Sequence, residues 1–367
     1  MENPTVESNE TLSLKCNMTG SHKFIFTFVP VVYACNFVIG IVGNSMVVAV
    51  IYRYMKLKTV ANVFVLNLAV SDLTFLVTLP MWATFTALGY NWPFGSFLCK
   101  ASAGLAIFNL YTSIFFLTAL SVDRYLAIVH PVGSRQRRTL LYARLTCVLL
   151  WVFAFVLSMP TALSRDTMMV KDHPATLCGI LQRADHKQLN LLVSLSILKT
   201  VLGFLVPFLI IITCDCLMGC ALLKAKGLLR KSARSREDET LRMLVAAVLA
   251  FFVCWAPHQI FHFMELLAML GVVKDCHVLD VIDTAMPFSV CLAYFNSCVN
   301  PILYGFVGHN FRKNLLRLLH CEGGSVVRNS SISTKMTAMS TRASQVLHLS
   351  SKKSSECNAN TVEDPKT

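Results

Sequence analysis

Long apolar runs separated by short polar segments form the main pattern of this sequence. The clearest run, residues 101–122, contains no charged residue, and a run of this length crosses the hydrocarbon core of a bilayer as a helix. Cys99 precedes the run, and Asp123-Arg124-Tyr125 ends it. Because charges are costly at the bilayer centre, this triplet must lie at a membrane surface. The run therefore predicts a membrane-spanning helix with two chemically different ends.

Six further runs repeat this pattern, so the sequence predicts seven spans. They cover residues 24–52, 60–88, 99–130, 141–163, 189–223, 241–270 and 278–307. Pro80 predicts a kink in the second span, because proline removes a backbone hydrogen bond from a helix. Residues 164–188, between the fourth and fifth spans, are predicted to form a long polar loop. Basic residues cluster between alternate spans, and the positive-inside rule assigns those segments to the cytoplasm and the amino terminus to the outside.

The composition supports the same fold class and argues against others. Hydrophobic residues make up 55% and charged residues 14% of the 367 positions, whereas about a quarter of the residues in a soluble domain are charged. The predicted fold class is an all-α membrane protein, a seven-transmembrane helix bundle with a short amphipathic eighth helix. The net charge of +13 is spread over several segments, which argues against nucleic acid as a partner. No catalytic motif of the GxSxG, HExxH or phosphate-loop type occurs, which argues against an enzyme.

A polar amino-terminal segment precedes the bundle of residues 24–307. Residues 1–23 contain glycosylation sequons at Asn9 and Asn17. The predicted topology places this segment outside the cell, so both asparagines are candidate acceptors.

The carboxyl-terminal part of the chain has two sections. Residues 308–321 alternate apolar and basic side chains at helical spacing, which predicts the short amphipathic helix on the inner membrane surface. Cys321, at its end, is a candidate palmitoylation site. Residues 322–367 are rich in serine and threonine and poor in aromatic residues, which predicts a disordered cytoplasmic tail with phosphorylation sites.

Polar and amphipathic residues interrupt the apolar spans at several depths. They are Asp72, Asn109, Ser113, Trp255, Asn296, Ser297 and Asn300. A carboxylate within a membrane needs hydrogen-bonding partners or a cation. Two interpretations are open: a water-filled switch site in which Asp72 is the metal ligand of an allosteric sodium ion, or a hydrogen-bonded packing network. Otherwise the sequence indicates no cofactor.

A second group of chemically distinctive residues lies at the predicted outer ends of the spans. These are Tyr33, Trp82, Arg165, Lys199, His258, Gln259, Glu265, Asp283, Met286 and Tyr294. An aromatic base with charges of both signs suits a ligand that carries both signs and an aromatic group, such as a short peptide. Tyr33 and Trp82 alone also fit interfacial aromatic residues. Lys199 is more informative, because it lies well inside an apolar run.

Four of the fourteen cysteines fall in predicted external segments, namely Cys16, Cys99, Cys178 and Cys276. Disulfides form in oxidising compartments. Four cysteines allow three pairings, and the residues alone do not select one.

Several motifs in order resemble one receptor family. They are Asn44 in GNSMVV, Asp72 in LNLAVSD, the Asp123-Arg124-Tyr125 triplet, Trp255 in CWAP and Asn300 in NPILY. Over residues 24–320 the chain resembles the rhodopsin-like (class A) G-protein-coupled receptors. Within that family, the stretches VDRYLAIVHPV, APHQIFHF, AYFNSCVNP and SISTKM resemble the angiotensin II receptors.

This resemblance implies a function and a set of partners. It implies a plasma-membrane receptor for the peptide hormone angiotensin II that signals through Gq-type G proteins to phospholipase C and calcium, as in vasoconstriction. Arrestin and receptor kinases would act at the tail. The residues implied in G-protein coupling are Asp123, Arg124, Tyr125 and Tyr304.

The resemblance also implies disulfide pairing and ligand contacts. The implied bridges are Cys99–Cys178 and Cys16–Cys276. Arg165 and Lys199 would hold the tyrosine region and the terminal carboxylate of the peptide. Asp283, with Glu265 beside it, would hold the basic amino-terminal part.

Three positions depart from the pattern of the angiotensin II receptors. Glu265 stands where they usually have aspartate, Ser297 where they have asparagine, and Asp215 where they have tyrosine. Two alternative functions are open: a receptor for another short peptide, of the bradykinin or chemokine type, and a transporter or channel. The second is disfavoured because the sequence shows no internal repeat.

Overall fold

The computed structural model is predominantly helical. It describes residues 23–135, 138–169, 175–180, 186–224, 231–307 and 311–319. Within these residues, seven segments are long and apolar enough to cross a membrane: Ile25–Met55, Val60–Ala87, Gly95–Val129, Leu140–Ser164, Asn190–Lys224, Leu244–Met269 and Cys276–Gly305. We call them the first to the seventh span. They confirm the seven-helix fold class, and their ends lie within four residues of the predicted ones.

Several spans are built from more than one helical piece. The first span consists of Ile25–Val50 and a π-helical turn at Ile51–Met55, and the second consists of Val60–Leu76 and Leu79–Ala87. The third and fourth are the single helices Gly95–Val129 and Leu140–Ser164, with a short helix, Pro131–Arg135, between them. The fifth lies within His186–Thr200, a π-helical turn at Val201–Leu205 and Val206–Lys224, and the sixth and seventh lie within Lys231–Met269 and Cys276–Val307. Residues 311–319 are also helical, within the predicted eighth helix.

Proline accounts for the break in the second span. The helix stops at Leu76 and resumes at Leu79, just before Pro80, because the proline ring cannot donate a backbone hydrogen bond. The Thr78 hydroxyl donates to the Phe75 carbonyl oxygen (2.8 Å), which satisfies an acceptor at the break. The predicted kink is therefore confirmed.

The segment between the fourth and fifth spans contains a β-hairpin. Strands β1 (Arg165–Met169) and β2 (Thr176–Ile180) pair antiparallel, with Thr167 opposite Cys178. The hairpin lies within the predicted polar loop of residues 164–188, and the sequence reasoning did not predict its strands. A disulfide joins Cys178 to Cys99 and fixes β2 to the start of the third span.

An ion pair fixes the other strand. The Lys100 ammonium lies 2.8 Å from Asp166, whose carboxylate also accepts from the Ser96 hydroxyl at 2.5 Å. These hydrogen bonds lower the pKa of Asp166 to about 2. The hairpin is thus held at two points on one helix.

The third span occupies the centre of the bundle. It packs against the second, fourth, fifth and sixth spans, and Leu110 and Ile114 are fully buried there. Gly104 allows the fourth span to approach closely, since an added Cβ would lie 2.8 Å from the Cβ of Ala162. Side chains of this central helix therefore reach both the hairpin end of the bundle and the opposite end.

Candidate functional site

A cavity of about 420 Å³ opens between the spans at the hairpin end. Its wall includes Arg165 from β1, Lys199 from the fifth span and Glu265 from the sixth. Eight of the ten predicted ligand residues line it: Tyr33, Trp82, Arg165, Lys199, His258, Glu265, Met286 and Tyr294. The structure therefore brings most of this predicted group together around one space.

Two predicted ligand residues lie away from the cavity wall. Gln259 is buried, and neither of its amide atoms has a hydrogen-bond partner among the described residues. Asp283 is exposed on the seventh span. Burial, and then the charge of Asp283, raise the pKa of the lining residue Tyr90, so Asp283 acts on the cavity rim without lining it.

The two cationic residues of the cavity carry no paired carboxylate. Lys199 and Arg165 are partly buried, and neither forms an ion pair within the described part of the chain. The Nε atom of Arg165 is buried without a hydrogen-bond partner there, and burial lowers the pKa of this guanidinium. Because a cation withdrawn from water is stabilised by a counter-charge, these two groups favour an anionic ligand.

A histidine that the sequence reasoning missed connects the acidic residue to the fifth span. The His262 Nδ1 atom lies 3.3 Å from a Glu265 carboxylate oxygen, and its Nε2 atom lies 3.4 Å from the Ser196 hydroxyl. The ring stacks on His258 with centroids 5.9 Å apart. Helical spacing could have revealed it, because positions 258, 262 and 265 share one helix face.

Aromatic side chains form the base of the cavity. Tyr33 and Tyr294 lie with ring centroids 5.5 Å apart, and Trp255 is buried at the bottom. Trp255 was predicted as part of the switch group; it lines the cavity, and its indole nitrogen has no hydrogen-bond partner among the described residues. The base thus offers apolar contact beneath the two cations.

A buried polar cluster surrounds Asp72, which is completely buried. The side-chain amides of Asn109 and Asn300 donate to its two carboxylate oxygens at 2.9 and 3.1 Å. The Ser297 hydroxyl donates to the Asn109 amide oxygen at 3.1 Å, and Asn44 donates to the Ser297 backbone carbonyl at 2.8 Å. These contacts join the first, second, third and seventh spans.

Two other predicted members of the switch group, Ser113 and Asn296, are also buried. The Ser113 hydroxyl interacts with the Asp72 carboxylate, whereas the Asn296 amide nitrogen has no hydrogen-bond partner among the residues that the structure describes. Sequence reasoning missed a further pair in this region, in which the hydroxyls of Ser71 and Thr112 bond to each other.

At the opposite end of the bundle, Asp123 accepts from two arginines. Arg124 bonds to it directly, and Arg138 bonds through two nitrogens at 2.7 and 2.9 Å. Arg138 was not predicted here, although it belongs to the basic cluster that follows the third span. Arg124 is thus held by its neighbour.

The other two residues implied in G-protein coupling lie apart from this ion pair. The Tyr125 hydroxyl lies 3.2 Å from His130. Tyr304 is buried, and its hydroxyl has no partner among the described residues.

The structure tests one predicted disulfide fully. Cys99–Cys178 is present, as the resemblance implied. Cys276 is disulfide-bonded, but its predicted partner Cys16 lies outside the described residues, as do Asn9, Asn17 and Cys321, so those assignments stay predictions.

Comparison with known families agrees with this architecture. Residues 43–304 match the family described as 7 transmembrane receptor (rhodopsin family). The chain belongs to this family of receptors, which are not enzymes, and the alternative of a transporter or channel is wrong. The protein is therefore a multi-pass membrane receptor.

Within the family, the chain is similar to type-1 angiotensin II receptors, the subtype that its motifs resemble most. It is 46% identical to that of Sus scrofa over 357 residues, covering 97% of this chain and 98% of the relative. It is 49% identical to that of Meriones unguiculatus, covering 93% and 94%, and 48% identical to that of Gallus gallus, covering 95% and 96%.

Proposed function

We propose that this protein is a receptor for angiotensin II. The observation that carries the proposal is the pair of cations, Lys199 and Arg165, which line an aromatic-based cavity without ion-pair partners among the described residues. A peptide that ends in a carboxylate supplies the missing charge. The names of the similar receptors support the same ligand.

The charges also give the peptide an orientation. Its terminal carboxylate binds Lys199, its tyrosine region lies near Arg165, and its basic amino-terminal part lies toward Asp283 and Glu265. The exposure of Asp283 at the rim is consistent with this order, because the cations lie on the cavity wall.

Signalling follows from a shift between two states. In the proposed topology the amino terminus and the cavity face outward, and the Asp123 end faces the cytoplasm at the plasma membrane. The bond from Arg124 to Asp123 stabilises a resting state. A ligand that binds the other state better shifts the population toward it, which admits a Gq-type G protein and activates phospholipase C and calcium release.

A sodium ion bound at Asp72 regulates this equilibrium in the proposal. The residues fit such an ion, because Asp72 is buried without a basic partner among the described residues and the Ser113 and Ser297 hydroxyls interact with its carboxylate. Asp72 and Ser113, with Ser297, are the oxygen donors that would hold it. Amide donation from Asn109 and Asn300 keeps the carboxylate in place.

The terminal segments receive the remaining proposed modifications. Glycans attach at Asn9 and Asn17, palmitate attaches at Cys321, and receptor kinases phosphorylate the serine- and threonine-rich tail for arrestin. Sequence pattern alone supports these assignments, because the residues lie outside those that the structure describes.

Binding of labelled angiotensin II to cells expressing the receptor tests the proposed function. We expect saturable binding that unlabelled angiotensin II displaces and that bradykinin and chemokines do not. Inositol phosphate should accumulate, and a Gq inhibitor should abolish this response. Displacement by bradykinin or a chemokine at lower concentration than angiotensin II would contradict the ligand assignment.

A further inference from the structure

One carboxylate in the cavity faces several possible cationic partners. Glu265 is the only acidic side chain that lines the cavity among the described residues. It interacts electrostatically with both Lys199 and Arg165, yet its side-chain hydrogen bond is with His262. Glu265 forms no ion pair with Lys199 among the described residues. It is nevertheless the side chain of the cavity wall whose negative charge is best placed to neutralise the Lys199 ammonium.

Both ring nitrogens of His262 are engaged, so the ring is fixed. One faces Ser196 on the fifth span at 3.4 Å, and the other faces Glu265 one turn further along the sixth span at 3.3 Å. The His258 ring lies parallel to it, with an interplanar angle of 1°. Among the described residues, the contact with Ser196 is the only side-chain hydrogen bond between these two spans.

Release of Glu265 would change the charge that a ligand meets. A free Glu265 side chain on this wall is attracted to the Lys199 ammonium, since opposite charges attract strongly where water is partly excluded. A ligand carboxylate would then have to displace that carboxylate before it could bind. An amidated ligand, which makes no such ion pair, would meet no such competition.

We infer that His262 is a positioning residue that holds Glu265 away from Lys199 and so makes the cavity selective for ligands that end in a carboxylate. This inference rests on the proposed function, because it uses angiotensin II as the carboxylate ligand. It concerns a residue that acts through Glu265 and does not require His262 to touch the peptide.

The test is a double-mutant cycle read with two peptides. His262→Ala, Glu265→Gln and the combination are compared with the wild-type receptor, each titrated with angiotensin II and with the same peptide amidated at its carboxyl terminus. We expect His262→Ala to weaken binding of the acid peptide on the order of tenfold, about 1.4 kcal/mol, and that of the amide by less than about twofold. In the Glu265→Gln background, His262→Ala should have little effect on either peptide, because the competing carboxylate is gone.

Further variants separate positioning from folding. His262→Gln retains an N–H that can donate to Glu265 and should restore most of the affinity for the acid peptide. His277→Ala removes an exposed histidine at the start of the seventh span and should leave both affinities unchanged. Equal losses for the two peptides, or the same loss with and without Glu265→Gln, would overturn the inference. No saturable binding by the wild-type receptor would instead overturn the proposed function, and the inference with it.

Discussion

At Lys199, an ammonium group is partly buried in a cavity wall with no ion pair among the described residues. A charged group that is removed from water is stabilised by an opposite charge. A ligand with a carboxylate should therefore gain more binding free energy from Lys199 than a neutral ligand does. Asp72 presents the opposite case, because its carboxylate is fully buried but accepts two amide hydrogen bonds. These two residues define different chemistry at the cavity and at the centre of the bundle.

The first residue-scale prediction concerns Lys199. Truncating one partner of a desolvated charge pair costs roughly 2–5 kcal/mol of binding free energy. Lys199→Ala should therefore weaken angiotensin II far more than its carboxyl-terminally amidated form, as measured by competition binding. Equal losses of affinity for the two peptides would contradict the proposal that Lys199 binds the terminal carboxylate.

The second residue-scale prediction concerns Asp72. If sodium binds there in the resting state, replacing choline chloride with sodium chloride should lower agonist affinity. Asp72→Asn removes the charge that holds the ion and should abolish this difference. Asn109→Gly, which removes a donor to Asp72, should raise ligand-independent inositol phosphate. An Asp72→Asn receptor with the wild-type sodium response would leave Asp72 with only a packing role.

Sequence reasoning reached these residues for a physical reason and missed others for a related one. Asp72 and Lys199 are conspicuous because charge is rare inside an apolar run. His262 and Arg138 lie in segments that already contain other polar residues, so neither side chain stands out from its neighbours in the sequence. Their partners also lie on other turns or spans, and only the folded chain shows which atoms meet.

At the scale of elements, the helices and the hairpin differ in how far they were predictable. Each span is specified by its own apolar run, because a bilayer requires one. The hairpin strands Arg165–Met169 and Thr176–Ile180 lack a regular alternation of buried and exposed positions. Their pairing is supported instead by the Cys99–Cys178 bridge and by the ion pair of Asp166 with Lys100, which are contacts distant in sequence.

Close packing of the third and fourth spans gives an element-scale prediction. Gly104→Ala would place a Cβ 2.8 Å from the Cβ of Ala162, which cannot rotate away. The helices must separate slightly, and such overpacking costs about 1–3 kcal/mol. The melting temperature of the detergent-solubilised receptor should fall. Gly219→Ala, where an added Cβ meets nothing within 4 Å, is the matched control and should leave it unchanged or slightly higher. Equal melting temperatures for the two variants would contradict the close approach.

At the scale of the whole molecule, the cavity and the Asp123 end lie at opposite ends of the third span. A ligand in the cavity can affect the Asp123 end only if the molecule has two states and the structures of both ends differ between those states. The Asp72 cluster lies between them and joins four spans, so it is the part of the molecule through which such a change is expected to pass. The sequence indicated Asp72, Asn109, Ser297 and Asn300 as polar residues of this region, whereas the contact of Asn44 and the pairing of each amide with each oxygen emerged only from the folded bundle.

The last prediction concerns Asp215, on the fifth span, and the activation of the molecule as a whole. One of its carboxylate oxygens is buried without a hydrogen-bond partner among the described residues, while Arg124 is held by Asp123. When activation releases Arg124, Asp215 is an acceptor available to it, and an ionised carboxylate accepts but cannot donate. The attraction is partly offset by desolvation, so the effect should be seen in efficacy more than in stability.

Asp215→Asn should therefore reduce the maximal inositol phosphate response to angiotensin II at matched surface expression. It should leave the affinity of an inverse agonist near the wild-type value, because the resting state does not use this pair. Asp215→Tyr, the residue type that the family resemblance implies at this position, is the control and should signal normally. Full efficacy in the Asp215→Asn receptor would show that Asp215 takes no part in the transition, and that Arg124 finds its active-state partner elsewhere.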